Sequence, residues 1–294
     1  MTTAAVILNW NRAALTEEAA RSVHDQVDAL YLVDNDSAAA DAAKVERLAR
    51  ELDAVFLRLD ANHGYAGGNN AGVAAALAAG HDAVLVLNND VVVRPGAVAV
   101  LEERLGARPG LAACAPVVVS CETGDVLHST CELDLDSGRF GWLDHLASAA
   151  EIDTEPRPTG YVSGEAFLVR AEAVRECGMF DERFFLTFED TEWSARVRRA
   201  GWALETCGAA VVEHHHSATM GGVTSAFYKT RNYPLFLHLA LGVPVPVALL
   251  RGTAFALRGL VYQLKRRRWT AALKGVVRGW AASGPVLAKA GGAR

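Results

Sequence analysis

Ala83–Asp90 reads AVLVLNND, five apolar residues of a strand-like run closed by two asparagines and an aspartate. A short, continuous apolar run predicts a strand buried on both faces of a parallel sheet. Polar residues at its carboxyl end stand where such sheets bind ligands. The chain has the same plan upstream. Ala4–Asn9 (AAVILN) runs into Asn9-Trp10-Asn11-Arg12, and Ala29–Asp34 (ALYLVD) into Asp34-Asn35-Asp36. Ala54–Leu59 (AVFLRL) leads to Asn62-His63-Gly64-Tyr65-Ala66-Gly67-Gly68-Asn69-Asn70. Helical patterns fall between the runs, at Thr16–Val27, Ala39–Leu52 and the alanine-rich Gly67–Ala79, where Gly80 suits the C′ position. Pro95 suits the first position of a helix reaching Leu105. Alternating strands and helices predict an α/β fold with helices on both faces of the sheet. One polar strand end means little, but four in succession place a site along one edge.

Beyond Leu111–Val119, another strand, the alternation is lost, and 120–158 is expected to be irregular structure that shapes the site. Ala166–Arg170 reads as a strand, Asp190–Ala200 as a helix ended by Gly201, and Ala209–Glu213 as a short strand. From Tyr233 to Leu250 no residue carries a formal charge, and Lys265-Arg266-Arg267-Arg268 forms a basic cluster. Pro234, Pro244 and Pro246 argue against one straight spanning helix. Two readings fit this region: a segment lying on an anionic membrane surface, or a helical bundle packed on the main domain. The organisation expected is a catalytic domain over 1–225 and a helical segment over 226–294.

The chain has 294 residues, 51% of them hydrophobic and 21% charged, enough for one large α/β domain with a helical appendage. A formal net charge of −5 argues against nucleic acid as a partner. Cys114, Cys121, Cys131, Cys177 and Cys207 show no CxxC spacing and read as free thiols in a reducing compartment. Met1-Thr2-Thr3-Ala4 runs straight into a strand pattern without a basic leader, so a cytoplasmic protein is expected.

Five places could carry chemistry. Asp34 reads either as a ribose or base contact or as a turn former. The glycine-rich Gly64–Asn70 loop opens a helix, so its amides could face a phosphate, although it lacks the GxGxxG order of a dinucleotide site. Asn88-Asn89-Asp90 is a candidate metal locus, with Asp90 the anionic ligand for a hard cation. Glu189, Asp190 and Glu192 stand among aromatics at a helix start, either complementing the helix dipole or supplying a base of raised pKa. Glu213-His214-His215-His216 follows a strand and offers metal or phosphate contact.

Taken in order, these segments resemble family 2 glycosyltransferases with the GT-A fold, closest to a bacterial rhamnosyltransferase-like branch. The likeness runs from Val6 to about Leu237. It comprises VILNWNR from Val6, VDNDS from Val33, NHGYAGGNNAG from Asn62, LNND from Leu87 and VSGEAFLVR from Val162. Gly178–Phe185 with Glu189-Asp190, HHHSATMGG from His214, and Tyr228-Lys229-Thr230-Arg231-Asn232 complete it. The resemblance implies inverting transfer of a sugar, rhamnose from dTDP-rhamnose or a hexose from a UDP-sugar, to a glycan, lipid-linked or small-molecule acceptor. It implies Mn²⁺ or Mg²⁺ held by Asp90 and His214, with His215 and His216 as bystanders. Asp34 would contact the base and Asp190 would be the general base. A donor site is expected from Asn9, Asn11, Arg12, Asn62, Gly67, Gly68, Asn69, Asn88, Asn89, Gly164, Glu189 and Arg231. Asn88 stands where many members carry a first aspartate, and Glu165 replaces a small residue, which narrows the expected sugar pocket. A sugar nucleotidyltransferase would need a glycine- and arginine-rich signature that Asn9–Arg12 does not supply. A non-catalytic binding subunit would not need Asp90, Asp190 and His214 together.

Overall fold

The computed structural model describes residues 1–142, 153–215, 222–265 and 271–291. Strands β1 (Thr3–Asn9), β2 (Ala29–Asp34), β3 (Val55–Arg58) and β4 (Ala83–Asn88) lie parallel in the order β3-β2-β1-β4. Helices α1 (Ala13–Val23), α2 (Ala39–Glu51) and α3 (Gly64–Ala78) connect them. The strand order reverses between β1 and β4, and their carboxyl ends flank that switch point, the usual ligand crevice of an open α/β sheet.

The unbroken apolar runs are explained by burial on both faces. Ala5, Ile7, Leu85 and Leu87 point into one core with α1 and α2; Ala4, Val6, Val84 and Val86 point into the other with α3. The sheet continues through β5 (Val91–Val93), β6 (Leu111–Ser120), β7 (Val126–His128), β10 (Pro156–Pro158), β11 (Ala166–Arg170) and β12 (Ala203–His214), while β8 (Cys131–Leu133) and β9 (Phe140–Trp142) form a separate hairpin. β11 runs antiparallel to β4, which brings Glu165 back beside Asn88: the Asn88 N–H donates to the Glu165 carbonyl at 2.9 Å.

Several expectations need correction. Pro95 lies outside α4 (Ala97–Ala107); Gly96, at φ +82°, is the residue that starts the helix. α3 begins at Gly64, so the glycine-rich segment is helix rather than loop. The stretch 120–158 contains four short strands within its described residues, and the last strand is twelve residues long, with a bulge between Cys207 and Val211. Helices α5 (Ala171–Cys177) and α6 (Glu189–Arg199) cover the second core.

The C-terminal helices are α7 (Gly222–Leu239), α8 (Val245–Lys265) and α9 (Ala271–Gly291). Leu235, Phe236 and Leu237 are fully buried against β8 and α6, so the uncharged stretch packs on the protein through its first half. Close approach is possible because Gly279 of α9 faces the Phe227 carbonyl, with no room for a Cβ. Among the described residues no helix is long and apolar enough to cross a membrane. Arg266, Arg267 and Arg268 lie outside the described residues, as do His216 and most of the segment that follows it.

Candidate active site

The strand ends come together as expected, but several of their side chains turn inward. Asn9 Nδ2 lies 2.9 Å from Asp34 Oδ1, 3.0 Å from Ser37 Oγ and 3.0 Å from Asp41 Oδ1. Its Oδ1 accepts from Thr16 Oγ1 at 2.8 Å and from the Arg12 N–H at 3.2 Å. Asp34 Oδ2 accepts from the Ser37 N–H at 3.1 Å. Asn9 and Asp34 are both fully buried. Asp34 and Asn9 thereby join the two loops from within. Asn11, exposed and at φ +55°, donates its N–H to Ser37 and accepts from the Ala38 N–H. Arg12 is half-buried at the start of α1. Asn35, which sequence reasoning passed over, ties this region to the next loop by donating to Asn62 Oδ1 and the Gly64 carbonyl.

The start of α3 is tied to a distant segment. The first amides of α3, from Tyr65 and Ala66, both donate to the Phe185 carbonyl, at 2.6 and 3.2 Å. They face protein, not a phosphate. A Cβ on Gly68 would sit 2.5 Å from Leu8 Cδ1, so this glycine lets α3 pack closely on β1, while one on Gly67 would meet the helix's own N-cap residue, 2.7 Å from His63 Cβ. Asn69 is buried within the helix and donates to the Tyr65 carbonyl.

Around the switch point the acidic residues converge. Asp90 Oδ1 lies 3.2 Å from His214 Nε2, with both side chains largely buried. Burial works to lower the His214 pKa, but the bond to Asp90 and the charges of Glu165 and Asp90 outweigh it and raise it. Glu165 Oε1 pairs with His128 Nε2 at 3.1 Å. Burial opposes its ionisation, yet His128 holds its pKa below the ordinary carboxylate range. Asp190 Oδ2 accepts the Gly164 N–H at 2.9 Å, and its Oδ1 accepts from the Thr191 N–H at 2.6 Å and Thr191 Oγ1 at 3.0 Å. Tyr65 Oη donates to the Gly164 carbonyl, so a helix, a strand start and the candidate base are locked together.

The three carboxylates at the start of α6 separate by environment. Glu192 is buried and paired with Arg196 at 2.9 Å, which removes it from contention as a base. Glu189 is buried, and desolvation followed by the neighbouring Asp190 charge pushes its pKa well up. Asp190 is half-buried; desolvation raises its pKa while the Gly164 and Thr191 bonds pull it back. Of these two adjacent carboxyls, burial opposes ionisation of Glu189 the more strongly, because Asp190 has the Gly164 and Thr191 bonds to offset it.

Other expected residues are spread around this centre. Asn88 is half-buried at the end of β4, and Asn89 donates to Thr16 Oγ1 at 3.2 Å. His215 turns aside to Glu18 at 3.1 Å. Arg231 donates to the Arg183 carbonyl and lies over the Tyr228 ring, 5.5 Å from its centroid. Its neighbour Asn232, not singled out from sequence, is fully buried and donates to the carbonyls of Phe184, Leu186 and Thr187, each at 2.8 Å. These carbonyls belong to a segment in which Phe185, Thr187 and Phe188 all hold positive φ, directly before Asp190. A cavity of about 280 Å³ between α1 and α2 is lined by Glu17, Lys44, Arg47 and Glu51 and lies apart from this centre.

Comparison with known proteins agrees with this geometry. Two mycobacterial relatives, the N-acetylglucosaminyl-diphospho-decaprenol L-rhamnosyltransferases of Mycobacterium tuberculosis strains H37Rv and CDC 1551, are 27% identical over 170 residues. The match covers 54% of this chain and 55% of theirs, so the chain spans about half the length of the curated relatives it matches. Among solved structures, GalNAc-T7 with UDP, GalNAc and Mn²⁺ superposes at a TM-score of 0.61, with 14% identity over 83% of this chain and 52% of that one. The mannosyltransferase PcManGT of Pyrobaculum calidifontis, with GDP-Man and Mn²⁺, gives 0.59, with 13% identity over 96% and 86%. Both likenesses establish the GT-A fold. The family model for glycosyl transferase family 2 matches residues 4–178, and the chain is a member of that glycosyltransferase family.

Proposed function

We propose that this glycosyltransferase moves rhamnose from dTDP-rhamnose to a hydroxyl of a lipid-linked glycan, with inversion, in cell-surface polysaccharide synthesis. The rhamnosyl donor and the lipid-linked acceptor are supported by the activity for which the mycobacterial relatives are named. Asp190 carries the mechanism: it is a half-buried carboxylate oriented by three hydrogen bonds from Gly164 and Thr191. Ionised Asp190 takes the proton of the acceptor hydroxyl as that oxygen bonds to the anomeric carbon. The bond from that carbon to the diphosphate oxygen breaks on the opposite face, and the electron pair leaves with the nucleotide diphosphate. One displacement inverts the centre.

Asp90 and His214 would hold a divalent cation, Mn²⁺ or Mg²⁺, since such ions commonly take only one or two protein carboxylates. No cluster of three or more ligating side chains occurs among the described residues. When bound, the ion offsets charge on the departing diphosphate. Two structural neighbours described with Mn²⁺ support this reading. We assign catalysis to residues 1–225 and acceptor delivery to the helices of 226–294, with the enzyme working at the cytoplasmic membrane face.

A thermal-shift screen of dTDP-, UDP- and GDP-sugars with and without Mn²⁺ tests the donor, because bound ligand raises Tm by mass action. dTDP-rhamnose with Mn²⁺ should give the largest rise. A larger rise with a UDP-hexose overturns the donor assignment. Failure to turn over any donor, with or without acceptor, favours a binding subunit.

A further inference from the structure

We propose that the outward faces of α8 and α9 form one surface that docks on an anionic lipid bilayer. This deepens the membrane placement above and names the residues that make it. Eleven large hydrophobic side chains stand exposed among the described residues, and seven of them lie on these two helices. Leu250 (72% exposed), Leu257 and Val261 follow one another along α8 at helical spacing, and Leu273, Val277 and Trp280 do so along α9. The stripes adjoin, because Trp280 Nε1 donates to Thr253 Oγ1 at 2.9 Å, and Thr253 lies between Leu250 and Leu257. An apolar face of this extent on a soluble chain marks an interaction surface.

Charge selects the occupant. Residues 222–294 contain twelve Lys and Arg and no Asp or Glu, whereas the rest of the chain has 34 Asp and Glu against 17 Lys and Arg. On the two stripes each of four exposed apolar residues is followed directly by an exposed cation: Leu250-Arg251, Leu257-Arg258, Leu273-Lys274 and Val277-Arg278. An apolar stripe flanked by cations is the pattern of a helix lying at a lipid interface. A second copy would set cations against cations, which opposes self-association. The acidic remainder of the chain would be repelled by the same lipids, fixing the orientation of the whole molecule.

The test is flotation of the full chain, without substrate, on vesicles of phosphatidylcholine alone or with phosphatidylglycerol. Wild type should float with the anionic vesicles only. Each cation near such a surface is worth about fivefold in affinity, so Arg258→Gln with Arg278→Gln should weaken binding roughly 25-fold. Leu250→Asp with Leu257→Asp should abolish it and leave the circular dichroism unchanged, since both side chains face solvent. Equal flotation with neutral vesicles, no flotation, or a dimer that Leu257→Asp dissociates overturns the proposal. Transfer to a lipid-linked acceptor dispersed in detergent reads the proposed function separately: activity there without flotation defeats the surface, and flotation without activity defeats the function.

Discussion

Asn232→Ala is the perturbation that tests how the candidate base is held. Asn232 is fully buried, and its two amide hydrogens are shared by three carbonyls at 2.8 Å. Removing the amide leaves the Phe184 carbonyl with the Leu186 N–H alone and takes the side-chain donor from the partly buried carbonyls of Leu186 and Thr187. A buried group left unsatisfied costs about 1–3 kcal/mol, and for these two partly buried ones the lower half of that range applies, so the expected destabilisation is about 2–4 kcal/mol. A domain has roughly 5–15 kcal/mol of stability, so the variant should still fold. The same carbonyls hold Phe185, Thr187 and Phe188 at positive φ, a conformation that persists only while its surroundings enforce it. Once released, the segment should relax and carry Asp190 out of register. Urea unfolding should show a lower midpoint with unchanged slope. Kinetics should show kcat falling at least about tenfold, and by more than donor affinity falls. Stability within about 0.5 kcal/mol of wild type, or kcat left intact, refutes the reasoning.

Three further outcomes follow from the geometry. Gly68→Ala should cost about 1–3 kcal/mol of stability in urea, because its Cβ meets Leu8 at 2.5 Å; lost nucleotide affinity with unchanged stability would restore the phosphate role. Asp90→Ala should abolish Mn²⁺-dependent nucleotide binding in calorimetry and His214→Ala should weaken it less, the neutral ligand contributing less; equal affinity in Asp90→Ala would falsify the metal assignment. Burial first, and the Glu165 charge last, raise the Asp190 pKa against the Gly164 and Thr191 bonds. Because the base must be ionised, kcat should fall as pH drops through that raised value, with the acid limb above the ordinary Asp range of about 3.9. An acid limb at or below that range contradicts it.

The four leading strands and the edge carrying the site were legible because a buried parallel strand is a contiguous apolar run ended by polar residues. β5 and β7 to β10 were not, since three residues are too few to show a period. The start of α4 was misplaced because Pro95 and Gly96 both punctuate a helix, and only backbone φ separates them. The Gly67-Gly68 pair has one sequence and two meanings. Whether the amides nearby face phosphate or protein is decided by the Phe185 carbonyl, far along the chain. Tyr65 and Asn232 escaped notice for the same reason: their partners are 99 and 45 to 48 residues away. Hydropathy alone could not separate a buried helix from a membrane-facing one between Tyr233 and Leu250. Packing of Leu235 to Leu237 against Cys131, Leu133 and Phe188 shows the first half to be buried, while Leu250 at the other end stands exposed.

The central claim is that Asp190 is the general base, and single-turnover kinetics of Asp190→Asn test it most directly. The substitution keeps the shape of the side chain and removes its basicity. With Glu189→Gln as control, expected to lose less, the rate of sugar transfer should fall by at least about 10²-fold while donor and Mn²⁺ binding stay within about twofold. Retention of more than about a tenth of the wild-type rate, with chemistry limiting, would contradict the account and hand the proton to another carboxylate at the start of α6.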